Sequence, residues 1–145
     1  MAAVSQASTV IQRGLTNSPI LARELVNCTN WARIPARSTI VSEDQPGQSL
    51  FFLAQGEVKV TKGGRLLSIL RSGECFGEMS YIKAGETPRH ATVEAMTDVV
   101  VAELGAAEAG ARVGDVAQSH LMRALLNTLV DRLAFADSRI SRVIS

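Results

Sequence analysis

Residues 76–95 read FGEMSYIKAGETPRHATVEA, and this stretch decides how the 145-residue chain is interpreted. Arg89 follows Glu78 by eleven residues. Glycine at position 77 lets a ligand approach the backbone closely, because it has no side chain. Glu78 can accept hydrogen bonds from hydroxyl or amine groups, and the planar guanidinium of Arg89 suits two phosphate oxygens. The pair therefore fits a small ligand with one negative charge and a nearby hydroxyl group.

The residues between them support the same interpretation. Met79–Ile82 can form one helical turn, whose free backbone N–H groups would point at an anion. One arginine is enough for a phosphodiester with a single charge, whereas a triphosphate would require more cations or magnesium. The alternative is a surface ion pair between Glu78 and Arg89, worth at most about 1 kcal/mol. That alternative leaves the surrounding glycine and small residues unexplained.

This stretch closely resembles the phosphate-binding cassette of the cyclic nucleotide-binding domain family. The family pattern is roughly Phe-Gly-Glu, an apolar residue and a small residue, then a variable loop followed by Arg, a variable residue and Ala. Here these positions are Phe76, Gly77, Glu78, Met79 and Ser80, followed by Arg89, His90 and Ala91. The resemblance runs from about residue 18 to residue 140, and FFLAQGEVKV at residues 51–60 looks like the family's glycine-bearing strand pair.

The resemblance implies a ligand, cAMP or cGMP, and no cofactor or metal. Glu78 would accept a hydrogen bond from the ribose 2′-hydroxyl, and Arg89 would bind the cyclic phosphate. Backbone N–H groups around Gly77 and Ser80, together with Ala91, would complete the phosphate site. By the same resemblance the fold is an eight-stranded antiparallel β-roll, or jelly roll, with flanking helices.

The sequence leaves the choice of base open. Family members that prefer cGMP often carry threonine at the position of His90, and many that bind cAMP carry alanine. Histidine matches neither, and it could equally be a partly exposed strand residue. The C-terminal helix would close over the base as a lid, where Phe135 could stack on the purine and Asp137 could accept a hydrogen bond from an exocyclic amine. Phe135 could equally belong to the core.

Periodicity divides the chain into three zones of one domain, residues 1–145. Residues 1–36 are predicted to be helical. Residues 37–104 contain short β-branched or alternating runs with frequent turns, which predicts a closed or sandwiched antiparallel β structure. Residues 105–145 return to a helical period, first as a short helix and then as a long one.

The long C-terminal helix is predicted from about Val116 to Val143, with Asp115 as its cap. Its apolar residues recur at alternating spacings of four and three, the a/d pattern of a coiled coil. This seam consists of Met122, Leu126, Leu129, Leu133, Ala136, Ile140 and Val143. One interpretation is a helix packed on its own β domain. The other, which the narrow stripe favours, is a coiled coil between two subunits.

Composition argues against several functions. Fifteen basic and fourteen acidic residues give a net charge of +1, which argues against contact with nucleic acid. No apolar run reaches the roughly 18 residues of a membrane span. Two histidines and no Cys-x-x-Cys motif argue against a transition-metal site, and so against a metal-dependent jelly-roll enzyme. Cys28 and Cys75 are predicted to be reduced core thiols of a cytoplasmic protein.

The predicted function is therefore not enzymatic. Binding of a cyclic nucleotide would move the C-terminal helix and change a dimer interface or an attached effector domain. Two alternatives stay open at this point. The chain could be a ligand-free dimerisation scaffold on the same fold. It could also be the sensor fragment of a larger kinase, a channel, or a DNA-binding regulator of the catabolite-activator type, since Ser145 follows the long helix closely.

Overall fold

A computed structural model of the chain describes residues 23–25, 27–83 and 88–144, with residue 108 and residues 135–144 described by their backbone alone. The strands within these ranges are β1 Asn30–Ile34, β2 Thr39–Val41, β3 Leu50–Gln55, β4 Glu57–Lys62, β5 Arg65–Arg71, β6 Cys75–Phe76, β7 Thr92–Ala95 and β8 Val99–Leu104. The helices are α1 Glu78–Ile82, α2 Ala106–Arg112 and α3 Asp115–Ile144. Residues 23–25 and 27 are helical as well.

The strands form two antiparallel sheets of four strands each. The first has the order β1-β8-β3-β6 and the second the order β2-β7-β4-β5. Side chains from both sheets meet in one apolar core, so the sheets pack face to face. The predicted fold, a mainly β antiparallel roll with flanking helices and a long C-terminal helix, is confirmed.

The first sheet is covered on both faces, and this explains why β3 and β8 are almost continuously apolar. Successive side chains of a strand point to opposite faces. In β3, Phe51 and Leu53 enter the core between the sheets, whereas Leu50 and Phe52 enter a second core beneath the helices. The alternating strand predicted at Glu57–Val60 is β4, and its hairpin with β5 turns between Lys62 and Arg65 as predicted.

The helical prediction for residues 1–36 is wrong for β1. Residues Asn30–Ile34 pair antiparallel with β8, and Trp31 lies opposite Ala102. None of the five side chains of β1 is fully buried. Burial of one strand face therefore does not explain why this segment is extended. The strand is stabilised by its backbone pairing with the edge of β8. Residues 1–22 lie outside the described residues, and there the helical assignment stays a prediction.

The C-terminal zone contains the two predicted helices, and α3 begins at Asp115. The first turns of α3 pack on the domain's own helix-side core through three buried side chains. These are Ala117, Leu121 and Leu125. The predicted seam lies on another face, since Leu126 and Leu133 are 51% and 63% exposed. The helix thus packs on its own domain mainly through residues outside the seam, together with Met122 at the start of the seam, which is half-buried against the same core. A partner for the exposed part of the seam stays a prediction. No helix in the described part of the chain is long and apolar enough to cross a membrane.

Candidate functional site

A cavity of about 350 Å³ lies between the second sheet, α1 and one side chain of α3. All eight predicted cassette residues line it, namely Phe76, Gly77, Glu78, Met79, Ser80, Arg89, His90 and Ala91. Much of the remaining wall is apolar and consists of Val41, Val60, Leu67, Leu70 and Val93. The cavity therefore brings together the carboxylate of Glu78 and the guanidinium of Arg89, the pair on which the sequence prediction depends, and places them beside an apolar wall.

Gly77 turns the chain from β6 into α1 and must be glycine for two reasons. Its φ of 83° lies in the left-handed region, which side chains with a Cβ rarely adopt. A Cβ at this position would also lie 2.6 Å from the carbonyl oxygen of Ser49 and 2.9 Å from Nη1 of Arg89. The helical turn that follows confirms the prediction for Met79–Ile82, begins at Glu78, and has no side chain capping its N-terminus.

Arg89 is held firmly inside the protein. It is 8% exposed, and its Nη1 donates hydrogen bonds to the carbonyl oxygens of Ser49 at 2.9 Å and Gly77 at 3.5 Å. The guanidinium carbon lies 5.8 Å from the centroid of the Phe51 ring. Gly47 packs against the same group, since a Cβ there would lie 2.5 Å from Nε and 2.8 Å from Nη2. Hydrogen bonds, the Phe51 ring and the close approach of Gly47 therefore fix the position of the guanidinium.

The guanidinium of Arg89 forms no salt bridge with a carboxylate in the described part of the chain. Its hydrogen bonds go to carbonyl oxygens. Burial lowers the pKa of the guanidinium from its ordinary value, while Glu103 acts in the opposite direction. Arginine nevertheless stays protonated in proteins. The alternative of a surface ion pair between Glu78 and Arg89 is wrong, because both side chains are buried and Glu78 pairs elsewhere.

The partner of Glu78 is Arg132 on α3, a residue that the sequence analysis missed. Nη1 of Arg132 donates to Oε1 of Glu78 at 2.5 Å, and Nη2 donates to the carbonyl oxygen of Cys75 at 2.9 Å. Arg132 lines the same cavity. The sequence marks Arg132 only as the neighbour of Leu133 in the predicted seam. That position does not indicate that Arg132 contacts a residue 54 positions away.

His90 is half-buried between Arg89 and β7, at the cavity wall. Its Nε2 atom is buried and has no hydrogen-bond partner. Leaving a buried polar atom unpaired typically costs about 1–3 kcal/mol. Phe135 and Asp137, the predicted lid contacts, both belong to α3, but their side chains lie outside the described residues and their roles stay predictions.

Cys75 lies at the edge of the site but does not supply a nucleophile. Burial raises the pKa of its thiol to about 12, and the negative charge of Glu78 acts in the same direction. The group is therefore a protonated thiol at neutral pH, and only the thiolate is a strong nucleophile. Cys28 and Cys75 are both buried and unbonded, as predicted for core thiols.

A statistical model of the family described as "Cyclic nucleotide-binding domain" matches residues 31–110, more than half of the chain. The chain belongs to the cyclic nucleotide-binding domain family. The match begins in β1, ends in α2 and contains the whole cassette, so the cavity described above lies largely within the part of the chain that defines this cyclic nucleotide-binding domain.

Two curated relatives are protein kinases or their subunits. The cGMP-dependent protein kinase egl-4 of Caenorhabditis elegans is 40% identical over 76 residues, which is 52% of this chain and 10% of the kinase. The cAMP-dependent protein kinase regulatory subunit of Debaryomyces hansenii is 40% identical over 67 residues, which is 46% of this chain and 14% of the subunit. The similarity thus spans a tenth to a seventh of these relatives' length and concerns one domain of each.

Solved structures show the same fold over nearly the whole chain. A cyclic nucleotide-binding domain from Methylobacillus flagellatus KT superposes with a TM-score of 0.82 at 21% identity, covering 96% of this chain and 83% of that one. The Catabolite Activator Protein of Thermus thermophilus gives a TM-score of 0.74 at 27% identity, covering 92% of this chain and 62% of that one. The coverage extends beyond residues 31–110, so the helices outside the family match belong to the shared fold too.

Proposed function

We propose that this domain binds a cyclic nucleotide, cAMP or cGMP, with the cyclic phosphate on Arg89 and the ribose on Glu78. The observation that carries the proposal is the buried guanidinium of Arg89, which has carbonyl partners but no carboxylate partner among the described residues. A buried charge without a counter-ion costs several kcal/mol. A phosphodiester with one negative charge would supply the counter-ion.

The size and lining of the cavity support a mononucleotide. Its volume of about 350 Å³ is near the lower end of ligand pockets, which argues against a cyclic dinucleotide. The apolar wall suits a purine base, and Glu78 suits a sugar hydroxyl. The relatives include a cGMP-dependent protein kinase and the regulatory subunit of a cAMP-dependent protein kinase, so both cAMP and cGMP belong to the proposal.

We expect calorimetric titration of the purified chain with cAMP, and separately with cGMP, to show micromolar or tighter binding to at least one of them. Extraction must first show that no nucleotide was purified with the protein. The ratio of the two affinities would measure the effect of His90 and the lid on the choice of base. Absence of heat with both nucleotides, on folded and empty protein, would contradict the proposal and favour the ligand-free scaffold.

The proposed output is regulatory, not catalytic. Bound nucleotide would favour one position of α3 relative to the β-roll, and α3 would act on an attached effector domain or on a second subunit. A ligand can do this only through different affinities for the two positions. The near-neutral chain is proposed to make no contact with nucleic acid itself. The two buried, unbonded cysteines support a reducing compartment, proposed to be the cytoplasm.

A second subunit is proposed as the partner of the α3 seam. The seam residues Leu126 and Leu133 are 51% and 63% exposed, and Val130, which lies between them outside the seam, is 62% exposed. We expect sedimentation of the isolated chain at micromolar concentration to show a dimer, and Leu133→Glu to shift it to monomer. Asn127→Glu, an exposed change on the same helix, is the control and should keep the wild-type mass. A wild-type monomer with and without nucleotide would contradict the seam.

A further inference from the structure

We propose that Glu103 is a positioning residue for the phosphate end of the cavity. It holds Ser49, whose carbonyl oxygen orients Arg89, and its negative charge weakens the attraction of the guanidinium for an anion. The part of this inference that concerns the phosphate rests on the proposed function. The part that concerns Arg89 rests on contacts within the protein and can be tested without a nucleotide.

Glu103 is the exception in β8, because the other five residues of this strand are apolar. Successive side chains point to opposite faces, so Glu103 shares a face with Val99 and Val101, which enter the core between the sheets. It lies opposite Phe51 in the pairing of β3 with β8. A half-buried carboxylate on an apolar face is costly unless it has hydrogen-bond partners.

The partner of Glu103 is the hydroxyl of Ser49, which donates to Oε1 at 2.7 Å. A hydrogen bond to a charged acceptor is roughly twice as strong as one between neutral groups. The carbonyl oxygen of the same serine accepts the 2.9 Å hydrogen bond from Nη1 of Arg89. A single residue therefore links the carboxylate of β8 to the guanidinium, and the position of its carbonyl oxygen depends on the bond that holds its side chain.

The loop before Ser49 also holds the backbone of Arg89. The N–H of Asp44 donates to the carbonyl oxygen of Arg89 at 3.0 Å, and the N–H of Arg89 donates to the carbonyl oxygen of Gln45 at 2.9 Å. Gly47 packs directly on the guanidinium. This loop thus contacts both the backbone and the side chain of the arginine, and the bond from the serine hydroxyl attaches the end of the loop to β8.

The charge of Glu103 acts on the guanidinium as well. Burial lowers the pKa of Arg89, and the negative charge of Glu103 opposes this shift. In the described part of the chain Glu103 takes part in no salt bridge. An anion bound to Arg89 would therefore be repelled by a carboxylate that stabilises the guanidinium in the empty protein. Removal of this charge should strengthen anion binding if the hydrogen-bond acceptor is kept.

The first experiment measures affinity for cAMP, for cGMP and for the two phosphorothioate diastereomers of each, in which sulfur replaces one or the other exocyclic phosphate oxygen. Sulfur is a weak hydrogen-bond acceptor, and a guanidinium held in one place makes the two oxygens inequivalent. We expect the wild type to bind one diastereomer at least roughly tenfold more weakly than the other. The ratio of the two affinities measures how precisely the guanidinium is placed.

Ser49→Ala and Glu103→Ala should each reduce this ratio to below about 3-fold, whereas Ser49→Thr should keep it. Glu103→Gln should also keep the ratio, because its amide oxygen still accepts the hydrogen bond, and should bind the cyclic nucleotide roughly two- to fivefold more tightly. The control is Glu94→Gln, which removes the same charge from β7. Glu94 follows Val93 of the cavity wall and so points to the opposite face, where it pairs with Lys59, and its loss should change neither value.

Two outcomes would overturn the proposal. A wild-type ratio in Ser49→Ala, whether or not both diastereomers bind more weakly, would mean a merely structural serine and would exclude the positioning role. Equal or weaker binding of the cyclic nucleotide in Glu103→Gln would exclude the effect of the charge.

The second experiment measures the midpoint of denaturant unfolding, without nucleotide, for Glu103→Gln, Arg89→Ala and the double variant. Glu103→Gln should lower the midpoint when Arg89 is present and change it little when Arg89 is absent, because the carboxylate then has no guanidinium to stabilise. Additive effects would overturn the link between the two residues. A wild-type chain that binds neither nucleotide would overturn the proposed function and the phosphate part of this inference, while the unfolding midpoints would still decide the part within the protein.

Discussion

Replacing Arg89 with alanine should weaken binding of the cyclic nucleotide by about 2–5 kcal/mol, a factor of roughly 30 to 5,000. The variant would leave the phosphate without its counter-ion in a cavity with a largely apolar wall. Arg89→Lys should also weaken binding, because an ammonium group cannot reproduce the fork of the guanidinium and cannot lie over Phe51 in the same way. Calorimetric titration of each variant against the wild type measures the effect.

The control for Arg89 is Arg33→Ala, which removes an exposed arginine on the other sheet. It should bind the nucleotide with wild-type affinity. Since Arg89 is buried against Ser49 and Phe51, thermal unfolding must show that each variant is folded at the temperature of the titration. Wild-type affinity in folded Arg89→Ala would show that Arg89 does not bind the phosphate. It would also contradict the proposal that this cavity is the nucleotide site.

Leu125→Ala should lower the free energy of unfolding by about 2–5 kcal/mol, whereas Leu126→Ala should change it by about 0.5 kcal/mol or less. The two leucines are neighbours on α3, but Leu125 is fully buried beneath the helix and Leu126 is 51% exposed. Only the first substitution leaves a cavity in the core. Denaturant unfolding at a protein concentration low enough to keep the chain monomeric measures both values.

The same pair of variants separates the two faces of α3. Leu126→Ala should weaken the proposed dimer while leaving the monomer stable, and Leu125→Ala should do the reverse. Equal losses of stability in the two monomers would mean that α3 does not pack through the face that contains Ala117, Leu121 and Leu125.

The cassette could be predicted from the sequence because its chemistry is local. Its eight residues fall between Phe76 and Ala91, and a short loop is enough to bring Glu78 and Arg89 to one cavity. The strands β3, β4, β5 and β8 could be predicted for a similar reason. In β3, β4 and β8 the alternation or continuous apolar character records how many faces are buried, and glycine-rich turns mark the strand ends. The strand β5 could be predicted from its hairpin turn, although its Leu66 and Leu67 are exposed.

Contacts between distant segments could not be predicted in this way. The strand β1 has no fully buried side chain and depends on its pairing with β8. The strand β6 has two residues, too few to show a period. Arg132 meets Glu78 across 54 positions of sequence, and any exposed arginine on a helix has the same local pattern.

The sequence predicts the C-terminal helix itself but not the residues that attach it to its own domain, because this helix contains two apolar stripes. The seam through Leu126 and Leu133 has the regular spacing of a coiled coil and dominates the pattern. The residues Ala117, Leu121 and Leu125 are spaced by four and attach the helix to its own domain. Periodicity points to the regular seam, and only the packed structure shows that the other stripe is the one covered by the domain.

The distances along α3 also give it the proportions of a lever. Among the side chains that the structure describes, Leu125 is the last one of α3 buried in the helix-side core. Arg132 lies seven residues beyond it, and Ile144 lies nineteen residues beyond it. At 1.5 Å per residue these arms are about 10 Å and about 28 Å long. A tilt about Leu125 that shifts Arg132 by about 1 Å would thus move the far end of the helix by about 2.7 Å. A small displacement at the cavity would therefore become a nearly threefold larger displacement at the C-terminal end of α3.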